Sequence, residues 1–277
     1  MGMTTSQQDR AAAFAALHTG GGVLALPNAW DVASAAVSVA AGAKAVATTS
    51  AGVAWGLGAP DGDKLDRALA LELIARVVSA VDVPVTADIE SGFGATAEGV
   101  AETVRGVLAA GAVGVNIEDS HPGGLRAIPE QAERLAAARA AAEEAGVALY
   151  LNARLDTYLR QVGADEGERF TETVERATAY LAAGASGIFV PGLTDLDALG
   201  RLVREIPAPV NAMVHPGAPS VAELAAVGVA RASLGSAIPQ AAYALVQRAT
   251  RELLERGTYE SVAESLGWGE LNGLLTR

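Results

Sequence analysis

Two short stretches hold the acids best placed to do chemistry: Val85-Thr86-Ala87-Asp88-Ile89-Glu90-Ser91-Gly92-Phe93-Gly94 and Val113-Gly114-Val115-Asn116-Ile117-Glu118-Asp119. Each is an apolar run that ends in acids. Such a run, bounded by turn residues, reads as a buried strand. Acids at its end stand where a parallel strand leaves the core. Asp88, Glu90 and Glu118 would then meet at one end of a sheet. Hard oxygen donors of that kind suit Mg²⁺ or Mn²⁺ better than Zn²⁺. The bland reading of the same acids is helix N-capping after βα loops.

Other strand ends supply partners for that chemistry. Arg154, in Asn152-Ala153-Arg154-Leu155-Asp156, is the natural anion clamp, because guanidinium offers a planar fork to a carboxylate. Its structural alternative is an ion pair with Asp156 or a neighbouring acid. Ser50 and the amides of Ala51 and Gly52 could donate to a substrate oxyanion. Asn211 and His215 sit at the end of another apolar run. His121 follows Glu118 in the Gly-rich loop Asp119–Ile128, which reads as a mobile lid carrying a proton-transfer imidazole. His215 is the fallback for that role. His18, in an N-terminal amphipathic stretch, reads as a surface residue.

The elements that must position these residues alternate. Strand-like runs fall at Val23–Pro27, Ala45–Thr49, Val85–Asp88, Val113–Glu118, Ala148–Ala153, Gly187–Val190, Val210–Val214 and Ala230–Leu234, with Ala-rich helical stretches between them. Eight strands alternating with helices predict a parallel sheet, and eight is the number that closes a TIM-type (β/α)₈ barrel. A doubly wound open sheet is the alternative. Helices end in Ala-Gly or Val-Gly pairs at Gly42, Gly111, Gly146, Gly184 and Gly228, where glycine supplies the left-handed cap. Beyond Leu234 the pattern is helical, with Pro239–Arg256 as one helix, Tyr259–Leu266 as a shorter one and Gly267-Trp268-Gly269 as a turn. No linker divides residues 1–277, so one barrel domain is expected, with 239–277 an extra helical segment.

Composition narrows the partners. A net charge of -12 argues against nucleic acid and anionic membranes. There is no cysteine, hence no disulfide framework and no thiolate chemistry, and a cytoplasmic location is expected. The two lysines, Lys44 and Lys64, lie away from strand ends, which disfavours a Schiff-base aldolase. No signal-peptide pattern or membrane-length apolar run is present. Met1–Ser6 formally fits an N-myristoylation pattern, without a basic patch to support it.

At this point the chain resembles the isocitrate lyase/phosphoenolpyruvate mutase superfamily. The matching pieces are Pro27-Asn28-Ala29-Trp30-Asp31, Thr48-Thr49-Ser50-Ala51-Gly52, Asp88–Gly94, Asn116–Asp119 and Asn152–Asp156. The resemblance implies a Mg²⁺-binding (β/α)₈ barrel acting on a small 2-oxo or 2-hydroxy carboxylate through an enolate-like intermediate. It also implies a homodimer or homotetramer that exchanges a helix. Under it Asp61, Asp88, Glu90 and Glu118 look like the metal carboxylates, some acting through water. Ser50, Ala51 and Gly52 look like the substrate cradle and Arg154 the anion arginine, with Trp30, Asn211 and His215 as further substrate-facing residues. Glu90 stands where the lyases have Asp. The lyase Cys loop and the mutase Lys loop are both replaced by Ser120-His121-Pro122-Gly123-Gly124, and Val190-Pro191-Gly192 replaces a Glu or His. The reaction implied is C–C cleavage by a lyase or hydrolase. The alternatives are P–C chemistry on a phosphonopyruvate-like acid and a non-catalytic metabolite-binding barrel.

Overall fold

The computed structural model describes residues 6–276. Most of the myristoylation pattern, Met1–Thr5, therefore lies outside the described residues, as does Arg277. The eight parallel strands are β1 (Leu24–Leu26, continued by Asn28–Ala29), β2 (Val46–Thr48), β3 (Val85–Asp88), β4 (Gly114–Glu118), β5 (Tyr150–Arg154), β6 (Gly187–Phe189), β7 (Val210–Met213) and β8 (Arg231–Ser233). The runs expected from sequence overlap every one of them.

The ring closes through a strand that is broken in the middle. Pro27 has no N–H and interrupts β1. The half before it pairs with β8 and the half after it pairs with β2. Asn28 repairs the break with its side chain: its Nδ2 donates to the Thr48 carbonyl (3.3 Å) and its Oδ1 accepts from the Leu234 N–H (2.9 Å). The sheet is thus a closed (β/α)₈ barrel, and the open-sheet alternative is set aside.

Helices α1 (Gln7–Leu17) to α11 (Trp268–Leu275) surround and extend the ring. The apolar face of α5 (Ala97–Ala109) packs on α6 (Ile128–Glu144), and α6 also packs on β5. Helix α1 instead closes the base of the barrel. Its Ala11 and Phe14 pack with Leu24, Ala45, Val113 and Tyr150 at the strand starts. That position buries His18, which is 5% exposed, contrary to the surface role read from sequence. Its ring stacks on Tyr150 at 3.9 Å and its Nδ1 lies 2.8 Å from the Phe14 carbonyl.

The C-terminal segment also differs from expectation. Helix α10 runs Ala237–Arg256 and is capped by Gly257 in the left-handed region. Only a 3₁₀ turn, Glu260–Val262, forms in the stretch expected to be a short helix. The side chain of Glu252 draws that stretch into a turn, accepting from Thr258 Oγ1 and from the N–H groups of Glu260 and Ser261. The helix comes later, as α11, where a turn around Trp268 was expected. Among the described residues no helix is long and apolar enough to cross a membrane.

Candidate active site

Strand geometry decides which side chains enter the barrel. Alternate residues point inward, so Thr86 and Asp88, then Asn116 and Glu118, then Asn152 and Arg154 rise in steps toward the C-terminal mouth. There Asp88, Asn116 and Arg154 border a cavity of about 190 Å³. Ser50, Ala51, Asp61, Asp88, Asn116 and Arg154 line one part of it. Leu159, Phe189, Met213, Ser233 and Ser236 line another part, and Asn28, Thr49 and Gly235 complete the wall.

Glu118 and Arg154 are register partners across β4 and β5. Their side chains pair at 2.6 Å between Oε2 and Nη1. The remainder of the guanidinium fork grips Asp156: Nε donates to Oδ1 (2.7 Å) and Nη2 to Oδ2 (3.0 Å). Asp156 also accepts from Ser120 Oγ at 2.6 Å. The structural ion pair weighed as an alternative for Arg154 is therefore present. It leaves two of the five N–H donors of Arg154 without a carboxylate partner.

The three carboxylates of the strand ends are drawn to one region but face different ways. Asp88 borders the main cavity and accepts from the Glu90 N–H at 3.1 Å. Glu90 lies past the end of β3 with φ +51°, and Gly92 and Phe93 follow at +100° and +47°. Strained backbone of this sort collects at functional sites. Arg134 of α6 holds the bend, donating from Nη2 to the carbonyls of Ser91 (2.6 Å) and Gly94 (2.8 Å). The bend turns Glu90 into a small side void shared with Asp88, Thr48 and Ser50. There its Oε2 accepts from the Asp63 N–H, while its Oε1 is buried without a partner.

Burial in a cluster of like charges has a consequence for all three. Desolvation, then the neighbouring acids, push Glu90 up to about 7. Burial pushes Glu118 up to about 8 against the pull of Arg154. Asp88 is raised as well, chiefly by burial. Among the described residues no three Asp, Glu or His side chains converge closely enough to hold a cation directly. The donor chemistry still fits a hard divalent ion bound largely through its waters. All donors are carboxylate oxygens, one is orphaned, and the acids crowd against each other's charge. Asp88, with Asp61 across the cavity, is the acid that faces such an ion.

Ser50 and Ala51 start helix α3 (Ser50–Gly56) and line the cavity. Gly52 is held behind them by close packing: a Cβ there would meet Thr49, Trp30 and Pro239 at 2.8–3.0 Å. Trp30 backs this turn and lies outside the cavity lining. Asn211 also stands back, its Nδ2 donating to the lining hydroxyl of Ser233 at 3.2 Å.

Neither candidate imidazole borders the cavity. The loop expected to be a free lid is a short hairpin, Ser120–His121 against Gly124–Leu125. It is latched through Ser120 to Asp156 and through Arg160, and the His121 Nδ1 accepts from the Gly123 N–H at 3.1 Å. Just before it, Asp119 is fully buried against Arg176 (3.1 Å) and Tyr180 (3.0 Å). His215 is exposed, with Nδ1 3.0 Å from the Pro216 carbonyl. Sequence reasoning left Asn116, Leu159, Phe189, Met213, Ser233 and Ser236 out of the site. Inward parity along β4, β6, β7 and β8 was the signal that would have found most of them. Leu159 lies on a loop and left no such trace.

Comparison with known proteins points the same way as the fold. A family profile described as phosphoenolpyruvate phosphomutase matches residues 14–254. The chain is 37% identical over 265 residues to an uncharacterised protein of Mycobacterium tuberculosis, covering 94% of each. It is 30% identical over 243 residues to 2-methylisocitrate lyase of Escherichia coli, covering 82% of this chain and 78% of that one. A Burkholderia cenocepacia crystal structure, provisionally described as a lyase/mutase, shares 38% identity with a TM-score of 0.90. That match covers 98% of this chain and 97% of the other.

Proposed function

The chain belongs to the phosphoenolpyruvate phosphomutase family, within the isocitrate lyase/phosphoenolpyruvate mutase superfamily, and we propose that it is a Mg²⁺- or Mn²⁺-dependent lyase or hydrolase. It cleaves a C–C bond in a small 2-oxo or 2-hydroxy carboxylic acid through an enolate-like intermediate. The observation that carries this reading is the small cavity at the strand C-termini bordered by Asp88, Arg154 and Ser50 together. In a barrel of this type that end is where catalysis occurs.

The chain's own groups divide the work. The Ser50 hydroxyl and the amides of Ala51 and Gly52 donate to the substrate carboxylate. The free N–H groups of Arg154 hold the anion, and Glu118 and Asp156 fix the orientation of that fork. Asn116 and Ser233 fill the floor with neutral donors and acceptors. Asp61, Asp88, Glu90 and Glu118 would hold the metal and its waters, and the ion would supply a Lewis acid beside the oxygen on which charge develops. His121 and His215 reach the cavity for proton transfer only if the loops that carry them move toward it.

The absence of cysteine fits a cytoplasmic location, and the exposed apolar side chains of α10 fit a homodimer or homotetramer. The decisive experiment is incubation with Mg²⁺ and a panel of 2-oxo and 2-hydroxy acids, with assays for pyruvate, oxalate, glyoxylate and phosphate. Metal-dependent release of a 2-oxo acid or oxalate supports the reading. Transfer or release of phosphate from a phosphonopyruvate-like acid points to P–C chemistry. Binding without turnover across the panel points to a metabolite-binding barrel.

A further inference from the structure

We propose that the acid accepted here carries an uncharged, apolar group beyond its 2-oxo or 2-hydroxy carbon, seated against Leu159, Phe189 and Met213. This rests on the reading of the cavity as a 2-oxo or 2-hydroxy acid site.

The cavity has two chemically distinct sides. In ring order β6 and β7 stand opposite β2 and β3. Phe189 at the end of β6 and Met213 at the end of β7 therefore face Ser50 and Asp88 across the mouth. A substrate whose carboxylate lies on the Ser50 side directs its far end at these two side chains. Leu159 continues the apolar side at the rim and is 46% exposed, so an apolar substituent has surface left to cover. The loop carrying Leu159 is set there by close packing, since a Cβ at Gly192 would meet the Leu159 backbone N at 3.2 Å.

Charge excludes the alternative occupant. A second carboxylate or a phosphonate at the far end needs a cationic partner there, since the divalent ion would sit on the opposite side beside Asp61 and Asp88, and leaving such a group unpaired in a small cavity is costly. Among the described residues Arg154 is the only cationic one lining the cavity, and Glu118 and Asp156 already engage it. Among the described residues the other basic groups nearby do not line the cavity. Arg160 donates to Ser120 and the His121 carbonyl, His215 is turned to Pro216, and Arg231 lies below with Nη2 on Asn116. Methionine and phenylalanine are adaptable and broad apolar surfaces. Each methylene they shield from water is worth about fourfold in affinity, ~0.8 kcal/mol.

The test is titration of the full-length protein, in Mg²⁺, with oxalate and two series of acids. Pyruvate, 2-oxobutyrate and 3-methyl-2-oxobutanoate extend the far end without charge. Oxaloacetate and phosphonopyruvate extend it with charge. Affinity is expected to rise severalfold with each added carbon in the first series, with oxaloacetate at least tenfold weaker than 2-oxobutyrate. In Met213→Lys that order should reverse, while Met213→Leu should keep it. Tighter binding of the charged acids by the parent protein would overturn the proposal, as would an unchanged order in a folded Met213→Lys. Oxalate has no far end and reports only on the shared core. If no acid binds, oxalate included, the reading of the site itself has failed and the proposal goes with it. If oxalate binds and the apolar series does not gain, the proposal alone has failed.

Discussion

The mouth and the base of this barrel carry opposite imbalances of charge. At the mouth, Asp88, Glu118 and Asp156 act on Arg154, with Asp61 and Glu90 close to Asp88, and Arg154 is the guanidinium that lines the cavity. At the base, Arg231 is 1% exposed and His18 is close enough to feel its charge, with Tyr150 beside them. Among the described residues no carboxylate bonds Arg231. Its Nη2 reaches Asn116 at 3.4 Å, and its Nε and Nη1 have no partner, like the Nε2 of His18. Burial lowers Arg231 to about 10 and His18 to about 4. An excess of acid at a strand end is what a cation-binding site requires. An excess of base in a packed floor has no ligand to answer it and should cost stability.

Asp88→Ala gives the largest expected effect, because it removes the one strand-end acid that faces the cavity. Metal binding and activity should be lost while the fold survives. Since burial disfavours the Asp88 charge, the metal-free variant should be no less stable than its parent. Full activity in Asp88→Ala, measured alongside circular dichroism, would detach the mouth's charge from function.

Arg154→Lys keeps the charge but gives up the fork that binds Asp156 in two places. A loss of about 2–3 kcal/mol in transition-state binding is expected, seen as roughly a hundredfold fall in kcat/KM, with a lower Tm from the unpaired Asp156. Unchanged kinetics with a lowered Tm would confine Arg154 to the ion-pair network. The contrasting change at the base is Arg231→Met. Replacing a buried charge that has no carboxylate partner by an apolar side chain is often neutral or stabilising. Chemical denaturation should show a change of less than about 1 kcal/mol or a gain. A loss of about 3 kcal/mol or more would mean that Arg231 has a strong partner and that the two ends are not opposites.

The same contrast sets two slopes with pH. Glu90 and Glu118 are raised in the folded protein, so the unfolded chain gives up its protons first as pH rises past about 4.5. Metal-free protein should lose stability from there to about 7–8. His18 is lowered, so the unfolded chain takes up the proton first as pH falls below 6.5. That contribution, up to about 3 kcal/mol, disappears between 6.5 and about 4. Mg²⁺ should flatten the first slope and leave the second, whereas His18→Phe should remove only the second. Equal effects of Mg²⁺ on both limbs of Tm against pH would refute the assignment of the ion to the mouth.

The smallest expected kinetic effect is at the hairpin. With its Nδ1 occupied by Gly123, His121 supports a turn, and His121→Asn should leave kcat within about threefold. A drop of 10²-fold, with loss of one limb of the pH–rate profile, would restore it as the proton-transfer group. The surface on which association is expected lies at neither end. Val246, Leu253 and Leu254 are exposed on α10, and an apolar groove lined by Trp30, Val37 and Ile238 runs beside α2 (Val32–Ala40). Light scattering at micromolar concentration should find a dimer or tetramer, and truncation after Gly235 should remove it.

Much of this was legible in the residues, and the misses share a cause. Strand identity came from short apolar runs with glycine at the preceding helix end, which are local signals. Asp88 and Glu118 could be placed at strand ends for the same reason. Glu90 could not be aimed, because period-two reasoning stops where the backbone enters the left-handed region. The Glu118–Arg154 pair depends on β4 lying beside β5 in a fixed register, which only the closed ring supplies. His18 was misplaced because an amphipathic helix does not reveal that its end will plug a barrel. The Asp119–Ile128 loop looked free because its latches, Asp156, Arg160 and Arg176, lie more than thirty residues further on.

The central claim is that the mouth's surplus of acid exists to hold a divalent ion beside a small oxo acid. Calorimetric titration of oxalate into the protein, with Mg²⁺ and then with excess chelator, tests it most directly. The account predicts binding in Mg²⁺ that is lost in chelator and lost again in Asp88→Ala. Equal oxalate affinity in all three conditions would contradict it.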